Sequence, residues 1–285
     1  IGFIGTGVMG SGIIHNLLKN GHDVAVFTRT KSKADPLLEE GAQWASSPAE
    51  LTQQVETVIT MVGFPQDVEE VYFGDHGIFS TVTSGQILID MTTSSPILAE
   101  KIGKKADELA VMALDAPVSG GDIGAQNATL TIMVGGNQTA FETMKPIFGQ
   151  IGHATNYFGT YGAGQNAKMA NQIMIAGTMT GLTEMLVYAK AARLDLKTVL
   201  ETLSNGGASN WSMENYVPRI LKNDYTPGFF AKHFLKDLKI ALDQAKQMQV
   251  DLPATRLATQ LYDNLVNQQG LGDDGTQALI KLWWK

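Results

Sequence analysis

The sequence predicts an α/β protein: a doubly wound, largely parallel sheet domain followed by an all-α domain. Three observations carry the prediction. Short β-rich runs alternate with amphipathic stretches through the first half; a glycine-rich turn (GTGVMG, 5–10) joins the first apolar run to a helical one; and beyond about residue 160 only helical periodicity remains. Alternation of this kind builds βαβ units whose crossover helices cover both faces of a parallel sheet.

Strands are expected at IGFI (1–4), HDVAVFT (22–28), TVITMV (57–62), QILIDM (86–91), VMALDAPV (111–118) and LTIMVGG (130–136), each a short run of mainly apolar, often β-branched residues. Helical patterns lie between them at 9–20, 31–40, 67–71, 96–109 and 138–148. The second half reads as helices over 163–192, 195–204, 211–222, 231–248, 254–268 and 274–284. Asp195 ahead of LKTVLETL is an N-cap signal, and Pro253 suits a first helical position. The expected division is a sheet domain over 1–161 and a helical domain over 162–285, joined by the long helix that starts near Ala163.

A length of 285 residues suits one large domain or two ordinary ones. A net charge of −7 gives no global basic field for nucleic acid, and Lys101, Lys104 and Lys105 read as a solvated helix face. The absence of cysteine excludes disulfides, thiolate catalysis and zinc–thiolate centres. His15, His22, His76, His153 and His233 lack ligand spacing, so no metal site is expected. The run 173–192 is the one membrane candidate, but Thr178, Thr180, Thr183, Glu184 and Lys190 interrupt it, so it reads as a core helix. The chain opens on a strand without initiator Met, basic n-region or cleavage site; a few preceding residues and a cytoplasmic location are expected.

Gly5, Gly7 and Gly10 stand in GxGxxG spacing between a strand and a helix, the dinucleotide-binding arrangement of a Rossmann-type sheet. Gly5 permits the tight turn, Gly7 lets a pyrophosphate approach the backbone, and Gly10 allows close helix–sheet packing. Val8 and Met9 lead into a helix N-terminus whose unpaired N–H groups favour phosphate. An NAD-binding protein places Asp or Glu at the end of its second strand. Here that strand ends VFTRTKSK, Asp23 comes too early, and Thr28, Arg29, Thr30 and Lys31 occupy the position. A guanidinium with flanking hydroxyls suits a 2′-phosphate, so the expected cofactor is NADP(H); an exposed basic turn is the alternative reading.

GAGQNAKMANQ (162–172) puts Lys168, Asn171 and Gln172 at the head of a long helix with hardly a charge. Burying an ammonium is costly unless it is paired, neutralised or used. If a nicotinamide lies across the carboxyl edge of the sheet, its ring reaches towards the domain junction, where Lys168 begins the helix. Lys168 and Gln172, four apart, share a helix face with Asn171 beside them. Lys168 then serves in proton transfer, with burial and an oxidised nicotinamide both lowering its pKa.

Four separated motifs, GFIGTGVMG with its Met9, DAPVSGGDIGAQNATL (115–130), GAGQNAKMANQ and FLKDLKIAL (234–242), span essentially the whole chain. Together they resemble the β-hydroxyacid dehydrogenase family, which includes 3-hydroxyisobutyrate dehydrogenase, tartronate semialdehyde reductase and glyoxylate/succinic semialdehyde reductases. The resemblance implies that Ser119, Gly120 and Gly121 hold a substrate carboxylate through a hydroxyl and backbone N–H groups. It implies Lys168 as general acid/base and Gln172, where many relatives have Asn and others Gln, as the group that orients substrate or lysine beside Asn171. Lys236 approaches the cofactor, with Asp237 in support; a surface Lys–Asp pair is the alternative. Val62, Gly63, Phe64 and Pro65 line the cofactor, and Thr93 takes a cofactor-contact position. Thr92 and Ser94 read equally as caps for the helix after Pro96, and Trp211, Phe229 and Phe230 equally as pocket walls or core.

The implied activity is NADP-dependent reduction of a small carboxylate-bearing aldehyde to its β- or ω-hydroxy acid, and the reverse. Holding both reactants in line is a major source of rate in such a reaction. Among related activities, sugar-acid decarboxylation as in 6-phosphogluconate dehydrogenases goes with a longer helical part, and imine reductases usually replace the lysine. A non-catalytic NADP-binding module, as some relatives are, loses the lysine or adds a reader domain and basic tail. The nearly uncharged face of 163–192 and the tail LIKLWWK (279–285) are expected to carry subunit contacts in a homodimer or homotetramer.

Overall fold

A computed structural model describes residues 1–284; Lys285, the last residue of the expected apolar tail, lies outside the described residues. The chain forms two compact units, Ile1–Lys168 and Met169–Lys285. The first contains β1 (Gly2–Ile4), α1 (Val8–Lys19), β2 (Ala25–Phe27), α2 (Asp35–Glu39), β3 (Gln43–Trp44), α3 (Pro48–Gln53), β4 (Thr57–Thr60) and α4 (Pro65–Phe73). It continues through β5 (Ile87–Asp90), α5 (Pro96–Glu108), β6 (Met112–Asp115), β7 (Val118–Ser119), α6 (Gly121–Gln126), β8 (Leu130–Gly136), α7 (Gln138–Ile151) and β9 (Gly152–Gly159).

The sheet runs β3-β2-β1-β4-β5-β6-β8-β7, with β9 also on β8. Pairing is parallel from β3 to β6, antiparallel where β8 meets β6 and β7, and parallel between β8 and β9. Strand order reverses between β1 and β4, the switch point beyond whose carboxyl ends such sheets open a ligand crevice. Side chains alternate across a strand, so neighbouring residues feed opposite layers. Phe3, Ile59 and Ile89 join one apolar core, and Ile4, Val58 and Leu88 the other. Burial on both faces is why these strands read as unbroken apolar runs.

Several elements differ from expectation. The strand expected at 22–28 contracts to β2, leaving Asp23 outside it. The run 111–118 splits into β6 and β7 around Ala116–Pro117, because proline offers no N–H to extend a ladder. The strand β9 is additional; its sequence GHATNYFG alternates only loosely and lacks an apolar run. The additional α3 carries a cap signal, Ser47 Oγ accepting from Glu50 N at 3.0 Å, with Pro48 in the first turn.

The unit boundary falls within α8 (Ala163–Ala191). The second unit continues with α9 (Leu196–Leu203), α10 (Trp211–Leu221), α11 (Ala231–Gln247) and α12 (Pro253–Asp263). Asp195 caps α9, its Oδ2 accepting from Thr198 N at 2.9 Å. The helix expected over 254–268 stops at Asp263 and widens into a π turn over Asn264–Gln268, closed by Gln269 N on Asn264 O at 3.0 Å. The segment expected at 274–284 is a 3₁₀ helix, Thr276–Leu282, pinned where Tyr262 Oη donates to Thr276 O at 2.9 Å. Its first five residues are all buried, so packing rather than the 3.6-residue period sets its course.

Ala176, Met179, Leu182 and Leu186 of α8 form one stripe that packs with Phe234, Leu238, Tyr262 and Leu279. Met174, Gly177, Gly181, Glu184 and Tyr188 lie on the exposed face of the same helix. No helix among the described residues is long and apolar enough to cross a membrane.

Candidate active site

The glycine turn beyond β1 separates into two kinds of glycine. Gly5 has φ +106°, and a Cβ there would lie 2.1 Å from Met61 O. A Cβ on Gly10 would lie 2.0 Å from Gly5 O, so the close approach of α1 to the turn needs its absence. Gly7 is different: its φ is −73°, which any residue adopts, and a Cβ would meet nothing within 4 Å. The space over Gly7 faces the start of α1, where no side chain caps the N–H groups. Val8 beside it is exposed, Met9 packs against the core, and Thr6 Oγ1 is buried without a partner. A backbone left bare at an uncapped helix start fits a phosphate-bearing cofactor.

Beyond β2, Thr28 is half-buried while Arg29, Thr30 and Lys31 are exposed. The Arg29 guanidinium pairs with Asp67 at 3.0 Å, and the Lys31 ammonium lies 5.5 Å from the Trp44 ring centroid. The other oxygen of Asp67 accepts from Phe64 N at 3.1 Å. Arg29 is thereby brought to the segment Val62–Pro65, where Pro65 opens α4 and Phe64 is exposed.

Thr92 and Ser94 do not cap α5, whose N-cap is Ser95. Thr92 instead ties strand ends together: its Oγ1 accepts from Val62 N (3.0 Å) and its N donates to Asp90 Oδ1 (3.0 Å). Thr60 Oγ1 donates to the same Asp90 oxygen at 2.9 Å. Thr93 is half-buried between Thr92 and Ser94, and Gly63 is half-buried after Val62.

Ser119 ends β7 and is half-buried, opposite Thr131 of β8. Gly120 (φ +133°) and Gly121 (φ +65°) turn the chain into α6 through backbone that only glycine adopts readily. Lys168 is buried, 6% exposed. The start of its helix is held by Asp115 at the end of β6, whose two oxygens accept from Gly162 N (2.8 Å) and Gln165 N (2.7 Å). Burial pushes the Asp115 carboxyl up to about 7, against the pull of those two N–H groups and with a push from Asp90. The Gln165 side chain, fully buried, bonds to Thr92 O and Ser94 N.

In the second unit, Asn171 Nδ2 donates to Gln172 Oε1 (2.8 Å) and Gln172 Nε2 donates to Asp237 Oδ2 (2.6 Å). Lys236 pairs with the other Asp237 oxygen at 3.0 Å. Asp237 is buried and the Lys236 side chain only 12% exposed, so this is no surface pair. Phe229 packs edge-on against the buried Phe234, a core position, whereas Trp211 is exposed against Tyr216 and Phe230 caps α11 beside His233. Asp90, Asp115 and Gln165 carry no role that the sequence alone assigns, and Thr92 is expected there only as a candidate helix cap. Asp115 and Gln165 stand inside the quoted motifs, so position relative to Ser119 and Lys168 was the available signal.

Residues 1–162 match the family model described as the NAD binding domain of 6-phosphogluconate dehydrogenase. Residues 162–283 match that described as NAD-binding of NADP-dependent 3-hydroxyisobutyrate dehydrogenase. The chain is 50% identical to an oxidoreductase of Bacillus subtilis, YkwC, over 100% of this chain and 99% of the relative. It is 37% identical to 2-hydroxy-3-oxopropionate reductase of Escherichia coli, over 95% and 92% of the two chains. Among solved structures, 3-hydroxyisobutyrate dehydrogenase of Mycobacterium tuberculosis with L-serine aligns with a TM-score of 0.91 at 26% identity, covering 100% and 98% of the chains. On whole-chain similarity and a shared fold, this chain belongs to the β-hydroxyacid dehydrogenase family, oxidoreductases of small hydroxy acids that work with a nicotinamide nucleotide.

Proposed function

We propose that the protein is an NADP-dependent 3-hydroxyacid dehydrogenase, equally a semialdehyde reductase, interconverting a small 3- or ω-hydroxy carboxylic acid and its semialdehyde. The observation that carries this reading is the buried Lys168, on a helix whose first turn is locked by Asp115. Burying an ammonium costs roughly several kcal/mol before pairing offsets it, which fits a lysine kept in place for its proton. The bound nicotinamide supplies or accepts the hydride. Lys168 gives a proton to the carbonyl oxygen in reduction and takes it back in oxidation.

Ser119 Oγ and the N–H groups of Gly120 and Gly121 hold the substrate carboxylate. Asp237, acceptor only when ionised, orients the Gln172 amide, which with Asn171 orients the reacting end of the substrate. Gly5, Gly7, Val8, Met9, Gly10, Val62, Gly63, Phe64, Pro65, Thr93 and Lys236 hold the cofactor. Thr28, Arg29, Thr30 and Lys31 receive its 2′-phosphate, a choice supported by the lack of any acidic residue at the end of β2. Residues 1–161 form the NADP-binding domain, and 162–285 serve substrate and subunit contacts, with Met174 and Tyr188 on the outer face of α8 in a homodimer or homotetramer. The mycobacterial relative's L-serine, itself a 3-hydroxy carboxylate, supports the substrate class.

The test is oxidation of NADPH and NADH with tartronate, succinic and methylmalonate semialdehydes and glyoxylate, followed by nicotinamide absorbance. Rapid turnover of one semialdehyde with NADPH and much slower turnover with NADH is expected. Tight NADPH binding with no turnover on any of them would overturn the reading for this substrate class.

A further inference from the structure

Gln165 has no part in the reaction as described, yet it is fully buried and both ends of its amide are used. Nε2 donates to Thr92 O at 2.7 Å, and Oε1 accepts from Ser94 N at 2.9 Å. These bonds are not needed to cap α8, because Asp115 already accepts from Gly162 N and from Gln165's own N. They act on the turn 92–94 instead. Thr92 in turn holds Val62 N and bonds to Asp90, so the ends of β4 and β5 are part of the same connection. Lys168 stands three residues further along the helix, about one turn away.

We infer that Gln165 is a positioning residue: its one amide sets the separation between the cofactor-contact turn Thr92–Ser94 and the helical turn that carries Lys168. Hydride donor and proton donor are thereby brought to one substrate in register. The inference rests on the reading of Lys168 as acid/base. A misplacement of about 1 Å at a distance from the chemistry can cost on the order of 100-fold in rate.

The test compares Gln165→Met, Gln165→Glu and Lys168→Ala in the full chain, reading kcat, KM and NADPH affinity across pH, with thermal melting as the control for folding. Met keeps length and apolar bulk but has neither donor nor strong acceptor. A protonated Glu offers one of each and can replace the amide, whereas an ionised Glu meets Thr92 O without a proton and stands close to the carboxylates of Asp115 and Asp90. Gln165→Met is expected to lose about 10- to 100-fold in kcat at every pH, with NADPH affinity within about threefold of wild type. Gln165→Glu is expected to approach the wild-type rate at low pH and fall to the Met level as pH rises. A Gln165→Met enzyme at full kcat, or a Gln165→Glu enzyme that follows the Met variant at every pH, would overturn the inference while an inactive Lys168→Ala leaves the acid/base reading standing. An active Lys168→Ala would overturn that reading and this inference with it.

Discussion

Substituting alanine at Gly7 and at Gly10 should have opposite consequences, although the two are three residues apart in one motif. At Gly7 the added methyl meets nothing within 4 Å and the backbone is already in ordinary extended geometry. Alanine is a clearly poorer N-cap than glycine but restricts the unfolded chain by a similar amount, so the two terms oppose and stability should move by less than about 1 kcal/mol. The same methyl occupies the space through which a pyrophosphate would reach the start of α1. Each charge-assisted hydrogen bond lost there is worth about 1.5–3 kcal/mol, or roughly 10- to 100-fold in NADPH Kd. At Gly10 the methyl would lie 2.0 Å from Gly5 O and 3.2 Å from the Phe3 ring. Relief requires moving α1 off the sheet, at a cost of about 1–3 kcal/mol or more. Thermal melts with and without NADPH, together with Kd from nicotinamide fluorescence, separate the two effects. Gly7→Ala should melt like wild type and bind poorly, while Gly10→Ala should melt early in both conditions. A Gly7→Ala protein that binds NADPH at wild-type affinity would refute the assignment of this space to the cofactor.

Asp67→Asn keeps an acceptor for Phe64 N but removes the charge 3.0 Å from Arg29. Because exposed pairs are worth at most about 1 kcal/mol, NADPH should bind up to about fivefold tighter with NADH unchanged; Arg29→Ala should weaken NADPH selectively, and titrations of both nucleotides check each. Asp115 has its carboxyl raised from 3.8 to about 7, so between those values the folded protein holds a proton that the unfolded chain has released. The group's contribution to stability is therefore present at low pH and lost as pH rises to about 7. The deficit of Asp115→Asn against wild type should shrink between pH of about 5 and about 8 by as much as roughly 2.5 kcal/mol. Urea midpoints at the two pH values measure this, and an unchanged deficit would contradict it. Ser119→Ala should raise KM for the acid or semialdehyde by about 10-fold with a smaller effect on kcat, which steady-state kinetics will show.

The sheet was legible where its strands are covered on both faces, because Phe3–Ile4, Val58–Ile59 and Leu88–Ile89 must each feed two cores and so read as apolar runs. It was illegible at β9, whose GHATNYFG is half-exposed and held by its pairing with β8 rather than by its own pattern. Local punctuation worked where the signal was itself a hydrogen bond, as at Asp195, and was available but unread at Ser47. At the candidate site the exposed and glycine positions stood out in sequence, since nothing but function or a turn explains them. The supporting groups did not. Gln165 meets Thr92 and Ser94 across more than 70 residues, and Asp115 meets Gln165 across 50, contacts that no local pattern encodes. The sequence offers Asp237 only as a support for Lys236 or as half of a surface pair, whereas its bond to Gln172 spans 65 residues.

The most direct test of the central claim is single-turnover oxidation of NADPH by Lys168→Ala on the preferred semialdehyde, with and without added methylammonium. Proton transfer by a positioned side chain is worth about 10²- to 10⁴-fold. Lys168→Ala should therefore bind NADPH like wild type, lose turnover by a factor in that range, and regain part of it with the exogenous amine. An alanine variant that reduces the semialdehyde within about 10-fold of the wild-type rate would contradict the account, since no lysine proton would then be needed.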